Sequence, residues 1–216
     1  MTAKRIRVRD HVNPFSPRFA EPPAPLDFAE VFQNPDLPLH LDLGCALGGF
    51  VFKMARLSPE INFLGVDIRE PMIERAKRLT MDANLKNLHY EFCNATISIE
   101  NLLRKMPPGA LQFVTIQFPD PHLKKRLAKR RMVQPHLVKD LAEFCAEKTK
   151  IFVQSDVEET AADICEKFEQ NPNFHRVHTE TWLAENPFPV KTEREVVVEN
   201  QNLPVFRAMF ERKSVK

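Results

Sequence analysis

Short apolar runs that alternate with longer helical patterns constrain the fold of this 216-residue chain most strongly. From residue 39 onward, each run ends beside a polar residue, and apolar side chains at helical spacing follow it. Strands and helices that alternate in this way form βαβ units, which build a parallel sheet with helices on both faces. The five strands predicted for this part of the chain span residues 39–43, 61–66, 88–93, 111–118 and 149–154.

Helical patterns fill the segments between these strands and follow the last of them. Pro71 suits the first turn of a helix that begins at about Glu70. The other predicted helices lie at 50–57, 99–106, 133–146 and 158–168. Two further strands, at 174–178 and 205–210, are expected to complete the sheet as an antiparallel pair. The predicted fold class is therefore α/β, with a mostly parallel, seven-stranded sheet.

The first 38 residues differ in composition from the rest, because they are rich in proline and basic residues. This composition is typical of an extended, partly disordered arm without a core of its own, so we predict an arm over 1–38 and one domain over 39–216. Its cations Lys4, Arg5, Arg7 and Arg9 could contact phosphates or stay solvated. The formal net charge of +2 is small, so any affinity for nucleic acid must come from local patches.

The sequence also indicates where in the cell the protein works and what its cysteines do. No apolar run is long enough to span a bilayer, and the N-terminus lacks the apolar core of a secretory signal, so we expect a cytoplasmic protein with no membrane partner. The four cysteines show no CxxC spacing and no nearby histidine at ligand spacing. We therefore expect no metal site and four reduced, mostly buried thiols.

Polar side chains occur at the ends of four successive predicted strands. They are Asp42, Asp67, Asn94 and Asp120. In an open α/β sheet the ligand binds outside the carboxyl ends of the strands, so we expect these side chains to line one site. Any single one could be an ordinary residue that ends a strand. A pocket rich in acids suits a cofactor with positive charge better than a pyrophosphate.

A glycine-bearing turn follows the first strand, in the segment DLGCALGG from Asp42. Gly44 and Gly48 would let the backbone come close to a ligand, as in nucleotide-binding turns. The dinucleotide pattern GxGxxG is not met, because Ala46 stands where a middle glycine would be expected. Asp67, about twenty residues further on, would suit the two hydroxyls of an adenosine ribose.

The segment FPDPHLKKRLAKRR, residues 118–131, joins an acid to a dense group of cations. Pro119 and Pro121 restrict the backbone on either side of Asp120, so its carboxylate is held rigidly. Six cations follow within eleven positions of Asp120, and such clusters commonly bind phosphates. The alternative is a turn followed by a solvated helical face.

The residues quoted above, together with FLGVDIREP, QSDVE and PVKTEREV, give the chain a family resemblance. It resembles the bacterial-type tRNA (guanine-N7-)-methyltransferases, which have the Rossmann-like class I methyltransferase fold, over nearly its whole length from Leu39. The combination of FPDP, KRR and a late TERE is the most specific part of the match. The resemblance implies transfer of a methyl group from S-adenosylmethionine to guanine N7 in tRNA, at position 46 in the variable loop, by a monomer or homodimer.

The resemblance also implies roles for individual residues. Asp120 would be the catalytic residue. Cofactor contacts would come from Asp42, Gly44, Gly48, Asp67, Asn94 and Asp120. Substrate contacts would come from Lys124, Asp156, Thr192, Glu193, Arg194 and Glu195. The residues expected to face tRNA are Arg126, Lys129, Arg130 and Arg131.

Some positions depart from the family pattern. His122 replaces the tryptophan usual after Asp-Pro, and Ala46 tightens the glycine turn. These departures leave room for an RNA-binding protein that has kept the fold without the activity, and a methyltransferase for small molecules or proteins is a second alternative. Without the resemblance, residues 192–195 would be taken as the polar start of an edge strand.

Overall fold

The computed structural model describes residues 12–19 and 21–214. The helices are α1 (Phe28–Val31), α2 (Gly49–Leu57), α3 (Glu70–Met81), α4 (Ala95–Leu103), α5 (Pro135–Phe144), α6 (Glu158–Gln170) and α7 (Glu193–Asn200), with short 3-10 helices at Pro17–Phe19 and Lys125–Arg130. The strands are β1 (Leu39–Leu43), β2 (Asn62–Asp67), β3 (Leu88–Phe92), β4 (Leu111–Gln117), β5 (Lys150–Ser155), β6 (Phe174–Arg176) and β7 (Phe206–Arg212).

These strands form one sheet in the order β3-β2-β1-β4-β5-β7-β6. The first five strands are parallel, and β7 lies antiparallel between β5 and β6. The mostly parallel, seven-stranded sheet with an antiparallel C-terminal pair is therefore confirmed. Strands β2 and β3 lie on one side of β1, and β4 and β5 lie on the other side. The switch in strand order therefore lies between β1 and β4.

Two apolar cores cover the two faces of the sheet. Alternate residues of β1 point to opposite faces, so Leu39 and Leu41 join the larger core, which includes residues of α4, α5 and α6. The smaller core includes residues of α2 and α3. The four cysteines are buried in these cores, as predicted.

The N-terminal segment packs against the domain more closely than an arm without a core would. Leu26, Phe28 and Phe32 belong to the larger core, so residues ahead of 39 contribute to the domain that was predicted to begin there. Phe19 is also buried. The four cations between Lys4 and Arg9 lie outside the described residues.

Three helices differ from the sequence-based expectations. The helix expected at 99–106 is α4, Ala95–Leu103, which begins four residues earlier and ends three residues earlier. The helix expected at 133–146 begins at Pro135, because the residue before a proline is disfavoured in helical conformation and proline suits the first helical position. Residues 193–200 form helix α7 and not the alternative edge strand. Thr192 is its N-cap, and its hydroxyl accepts a hydrogen bond from the Glu195 amide at 3.1 Å. The spacing T-x-x-E signals such a cap and outweighs the strand preference of the valines that follow.

Candidate active site

The sheet brings the polar strand-end residues to one edge. Asp42 is the penultimate residue of β1, Asp67 is the last residue of the neighbouring β2, and Asn94 follows β3. All three side chains are buried. Asp120 follows β4, on the other side of β1, so the switch point lies among the acids as the general rule for open sheets requires.

The N-terminal segment lies against this edge. The Asn94 side-chain amide donates to the Pro14 carbonyl at 2.9 Å, and Arg18 pairs with Glu70 at the start of α3 at 2.8 Å. Phe19 packs on Phe92, with ring centroids 6.1 Å apart. These contacts run across the ends of β2 and β3, which would carry the adenosine part of a nucleotide ligand.

The glycine turn between β1 and α2 uses left-handed backbone at three positions. Gly44, Ala46 and Gly48 have φ values of 84°, 52° and 69°. Only Gly48 is also limited by space, because a Cβ there would lie 2.1 Å from the ring of Tyr90, whose hydroxyl donates to the Gly48 carbonyl at 2.9 Å. Ala46 adopts the same region as a non-glycine residue and donates its amide to Asp67 at 2.9 Å.

Asp67 is occupied by protein groups in this conformation. It accepts from the Arg69 amide at 2.8 Å and from the Arg69 side chain at 2.9 Å on both carboxylate oxygens. A ribose would therefore have to displace the guanidinium of Arg69 to bond both oxygens. Sequence reasoning missed Arg69, although its position two residues after an acid that ends a strand was visible.

The side chain of Asp42 is buried at this site. Burial raises the pKa of its carboxyl to about 6, and the charges of Asp67 and Glu193 act in the same direction. Hydrogen bonds from Thr115 at 2.6 Å and from Gln117 at 3.4 Å oppose the increase in pKa. Burial and these two acids disfavour the ionised form of Asp42, and a cationic ligand would stabilise it.

Asp120 lies on a turn with an unusual backbone. Phe118 and His122 have φ values of 49° and 40°, a region that costs a non-glycine residue about 1 to 2 kcal/mol each. The Phe118 amide donates to Gln154 at 2.8 Å, which anchors the turn to β5. His122 occupies the usual tryptophan position, and its Nε2 lies 3.4 Å from the Asp120 carboxylate. The departure at His122 therefore places an imidazole directly beside the proposed catalytic acid.

The basic segment after this turn divides into exposed and buried cations. Lys124, Arg126 and Lys129 are exposed, and Arg130 is partly exposed. Arg131 is buried and faces the protein, so the prediction that it faces tRNA does not agree with its position. Its guanidinium donates to the Pro121 carbonyl at 2.9 Å and contacts the acids of α6, which are Glu159 at 2.8 Å and Asp163 at 3.4 Å.

The TERE segment lies beside the glycine turn and the end of β5. Glu193 lies 3.6 Å from Lys53 on α2, and a Cβ at Gly49 would approach its carboxylate within 2.2 Å. Arg194 pairs with Asp156, so two of the predicted substrate residues contact each other. Glu195, in contrast, is fully buried against Arg207.

The described residues, 12–19 and 21–214, contain no group of three or more His, Cys, Asp or Glu side chains that could hold a metal ion. Within the same ranges, no helix has the length and apolar character needed to cross a membrane.

Known proteins resemble this chain in sequence and in fold. Residues 36–208 match the profile of a family described as "Putative methyltransferase". The chain is 50% identical over 207 residues to the tRNA (guanine-N(7)-)-methyltransferase of Trichormus variabilis, with 96% of each chain covered. The chain belongs to the tRNA (guanine-N7-)-methyltransferase family. Over 208 residues it is also 50% identical to the Synechococcus elongatus tRNA (guanine-N(7)-)-methyltransferase, with 96% of this chain and 97% of that protein covered.

Solved structures support the same fold for this member of the tRNA (guanine-N7-)-methyltransferase family. The 16S rRNA methyltransferase KamB superposes with a TM-score of 0.61 at 16% identity, covering 87% of this chain and 93% of KamB. A 30S ribosomal A1408 methyltransferase from an uncultured bacterium gives a TM-score of 0.55 at 16% identity, covering 85% and 89% of the two chains. The Rossmann-like class I methyltransferase fold is thus confirmed.

Proposed function

We propose that the protein transfers a methyl group from S-adenosylmethionine to N7 of a guanine in the variable loop of tRNA. The identity of 50% over 207 residues to a tRNA (guanine-N(7)-)-methyltransferase carries this proposal. The geometry supports it, because buried acids and exposed cations adjoin one turn, the turn that holds Asp120. On this proposal the enzyme works in the cytoplasm, where its tRNA substrate is found.

The carboxylates at the strand ends fit the charge of the cofactor. When bound, S-adenosylmethionine supplies a methyl group on a positively charged sulfonium, and it also carries an ammonium. Asp42 and Glu193 would offset these charges. Glu193 raises the pKa of Asp42, and a ligand cation would stabilise the ionised form of Asp42. Gly44 and Gly48 would let the main chain of the turn lie close to the ligand.

The adenosine part of the cofactor would lie across β2 and β3. Asp67 would accept hydrogen bonds from both ribose hydroxyls once the Arg69 guanidinium moves away. Asn94 would contact the adenine. Its side-chain nitrogen donates to Pro14, so its carbonyl oxygen would be the acceptor for an exocyclic amine.

The tRNA would approach from the exposed side of the 118–131 turn. Lys124, Arg126 and Lys129 are exposed there and can neutralise phosphates, with Arg130 at their edge. Each phosphate contact adds to the salt dependence of binding, so affinity for tRNA should fall steeply as salt rises. Arg131 does not belong to this surface because its side chain is buried.

A second set of polar residues extends this surface toward the glycine turn. Asp156, Glu193 and Arg194 lie around the start of α7, which Thr192 caps. We propose that these residues contact the nucleotide to be methylated, as the family resemblance implies. The Arg194–Asp156 pair would then orient a guanidinium toward the RNA.

The chemistry needs orientation more than proton transfer. Guanine N7 has a free lone pair, so no base has to deprotonate the nucleophile, and rate enhancement would come from alignment and electrostatic stabilisation. Asp120 would offset the positive charge that forms on the imidazole ring of the base. His122, 3.4 Å from Asp120, would fix the carboxylate on the turn.

The test is Asp120→Asn, followed by transfer of labelled methyl groups to an unmodified tRNA transcript. We expect turnover to fall by about a hundredfold or more, in the range seen when one stabilising group is removed from a preorganised site. Asp82→Asn, at an exposed position after α3, is the matched control and should leave turnover unchanged.

Two outcomes would contradict the proposal. Unchanged turnover in Asp120→Asn would remove this residue from the mechanism. Failure of the unaltered protein to bind S-adenosylmethionine in calorimetry would instead favour an RNA-binding protein without activity. Mapping the methylated nucleotide in the product tRNA tests the assignment to the variable loop.

A further inference from the structure

A row of buried polar side chains crosses four adjacent strands on the face of the sheet that α7 covers. Asp42 on β1, Gln117 on β4, Gln154 on β5 and Arg207 on β7 form this row near the carboxyl edge of the parallel strands. Glu195 of α7 closes it and is fully buried. The row connects the family-specific TERE segment to a cofactor-site carboxylate by side chains alone.

Each hydrogen bond in the row has a fixed direction. Gln117 donates to Asp42 at 3.4 Å, and its carbonyl oxygen accepts from Gln154 at 2.9 Å. The Gln154 amide nitrogen also donates to Glu195 at 3.1 Å, and its oxygen accepts from Arg207 at 3.2 Å. Arg207 in turn donates to Glu195 at 2.8 Å. Because Glu195 and Arg207 set the orientation of Gln154, they also determine that Gln117 presents its NH₂ group to Asp42.

A second contact holds Asp42 from the other side. The single proton of the Thr115 hydroxyl goes to Asp42 at 2.6 Å, so the Thr115 oxygen must accept from His40 Nε2 at 3.1 Å. Burial lowers the pKa of His40 to about 3, which keeps this ring neutral and able to donate in one tautomer. Asp42 is thus held by two oriented chains of donors, of which only one reaches α7.

Glu195 is enclosed by the protein rather than exposed to RNA. Its two carboxylate oxygens accept from Arg207, from Gln154 and from the Asn186 side chain at 2.8 and 3.0 Å. A tRNA contact would require the helix to leave these partners, and a buried ion pair loses several kcal/mol when one partner is left alone. The neighbouring Arg194 is exposed on the same helix and can serve that purpose.

We propose that Glu195 is a positioning residue, which orients the Asp42 carboxylate for the cofactor through Arg207, Gln154 and Gln117, and is not a direct contact of the tRNA. This inference rests on the proposed function, because it takes Asp42 as a ligand of S-adenosylmethionine. It makes the start of α7 bifunctional, with Arg194 facing the substrate and Glu195 facing the cofactor site.

The pH dependence of cofactor binding reports on this row. The charged groups that face Asp42 are Asp67 from β2 and Glu193 from α7, and Arg69 neutralises the first. Cys45 and Tyr90 also lie near, but burial raises the pKa of both, so they stay neutral in the range where Asp42 titrates. Donors to Asp42 lower its pKa, so disturbing Gln117 should move the pH midpoint of binding upward.

The experiment compares Glu195→Gln and Gln154→Met with the unaltered protein. Calorimetric titration with S-adenosylmethionine from about pH 5 to about pH 8 gives the affinity and its midpoint, and a separate assay gives the affinity for tRNA without cofactor. The matched control is Thr149→Val, which removes hydrogen bonds of a buried hydroxyl just before β5, away from the row.

We expect both row variants to shift the midpoint up by about half a unit and therefore to bind the cofactor about threefold more weakly at about pH 5, below the midpoint. Their affinity for tRNA should stay within twofold of the unaltered protein. Thr149→Val should lower stability without moving the midpoint.

Two results would overturn the inference. In one, the row variants lose stability like Thr149→Val and keep the original midpoint, which would make the row structural only. In the other, Glu195→Gln weakens tRNA binding and spares the cofactor, which would restore Glu195 as a substrate contact. If the unaltered protein does not bind the cofactor, the proposed function fails. If the unaltered protein binds the cofactor and the variants keep the same pH midpoint, only this inference fails.

Discussion

Replacing Arg131 with glutamine should destabilise the protein, because this cation ties the Asp120 turn to α6. The hydrogen bond from its Nε to the Pro121 carbonyl, at 2.9 Å, is partly buried and charge-assisted, and is worth about 2 kcal/mol. The Glu159 side chain is 67% exposed, so that ion pair adds at most about 1 kcal/mol. Asp163 still pairs with Lys167 when Arg131 is replaced, so its carboxylate is not left without a cation. We expect a loss of about 3 kcal/mol in the free energy of unfolding.

Urea unfolding and methyl transfer to tRNA test this reasoning together. For a chain of this length, a loss of that size lowers the melting temperature by roughly 6 to 12 °C. Turnover should also fall, by about tenfold, because Pro121 adjoins Asp120 and a small displacement of the acid misaligns it. The affinity for tRNA should change little, since Arg131 does not reach the surface.

Arg126→Gln is the matched control for this experiment. Arg126 belongs to the same basic segment but is exposed. Its replacement should change stability by less than about 0.5 kcal/mol and should weaken tRNA binding, with a smaller dependence on salt. The reasoning is refuted if Arg131→Gln unfolds like the unaltered protein and weakens tRNA binding as much as Arg126→Gln does.

Two further predictions concern the cofactor edge. Asp42→Asn should raise the free energy of unfolding at pH 7 by about 3 kcal/mol while weakening cofactor binding, because burial raises the pKa of this acid from 3.8 to about 6 and so penalises its charged form. Urea unfolding at several pH values checks the sign, since the gain should vanish below about pH 3, where Asp42 is protonated in both states. Gly48→Ala should cost about 4 kcal/mol, because left-handed backbone and the Tyr90 ring both oppose a Cβ, whereas Gly44→Ala should cost about 1 kcal/mol. Equal losses in the two alanine variants would show that Tyr90 moves aside.

The strand ends were predictable because they depend on local patterns. Asp42, Asp67 and Asn94 each follow a short apolar run, and parallel strands bring such positions to one edge whatever the details of packing. The seven-stranded architecture follows from the same alternation. Helix α7 was the exception, since three consecutive valines favour a strand. Only the capping signal at Thr192 and Glu195 pointed to the helix.

The partners of the site residues were not predictable in the same way. Arg69 and Arg131 each look like ordinary surface cations in the sequence, but one covers Asp67 and the other is buried on α6. The donors to Asp42 are Thr115 and Gln117 on β4, more than seventy positions away in the chain. Gln154 and Arg207, which orient Gln117, come from β5 and β7. Such contacts depend on tertiary register, which no local pattern encodes.

The position of β7 has a consequence for how the protein is made. This strand follows the other six strands in sequence, yet it lies between β5 and β6 and supplies Arg207 to the polar row. While β7 is still being synthesised, β5 is an open edge that can pair with other chains. The proposed cofactor site therefore reaches its final geometry only after β7 has been made, and products truncated before Phe206 should aggregate rather than bind the cofactor.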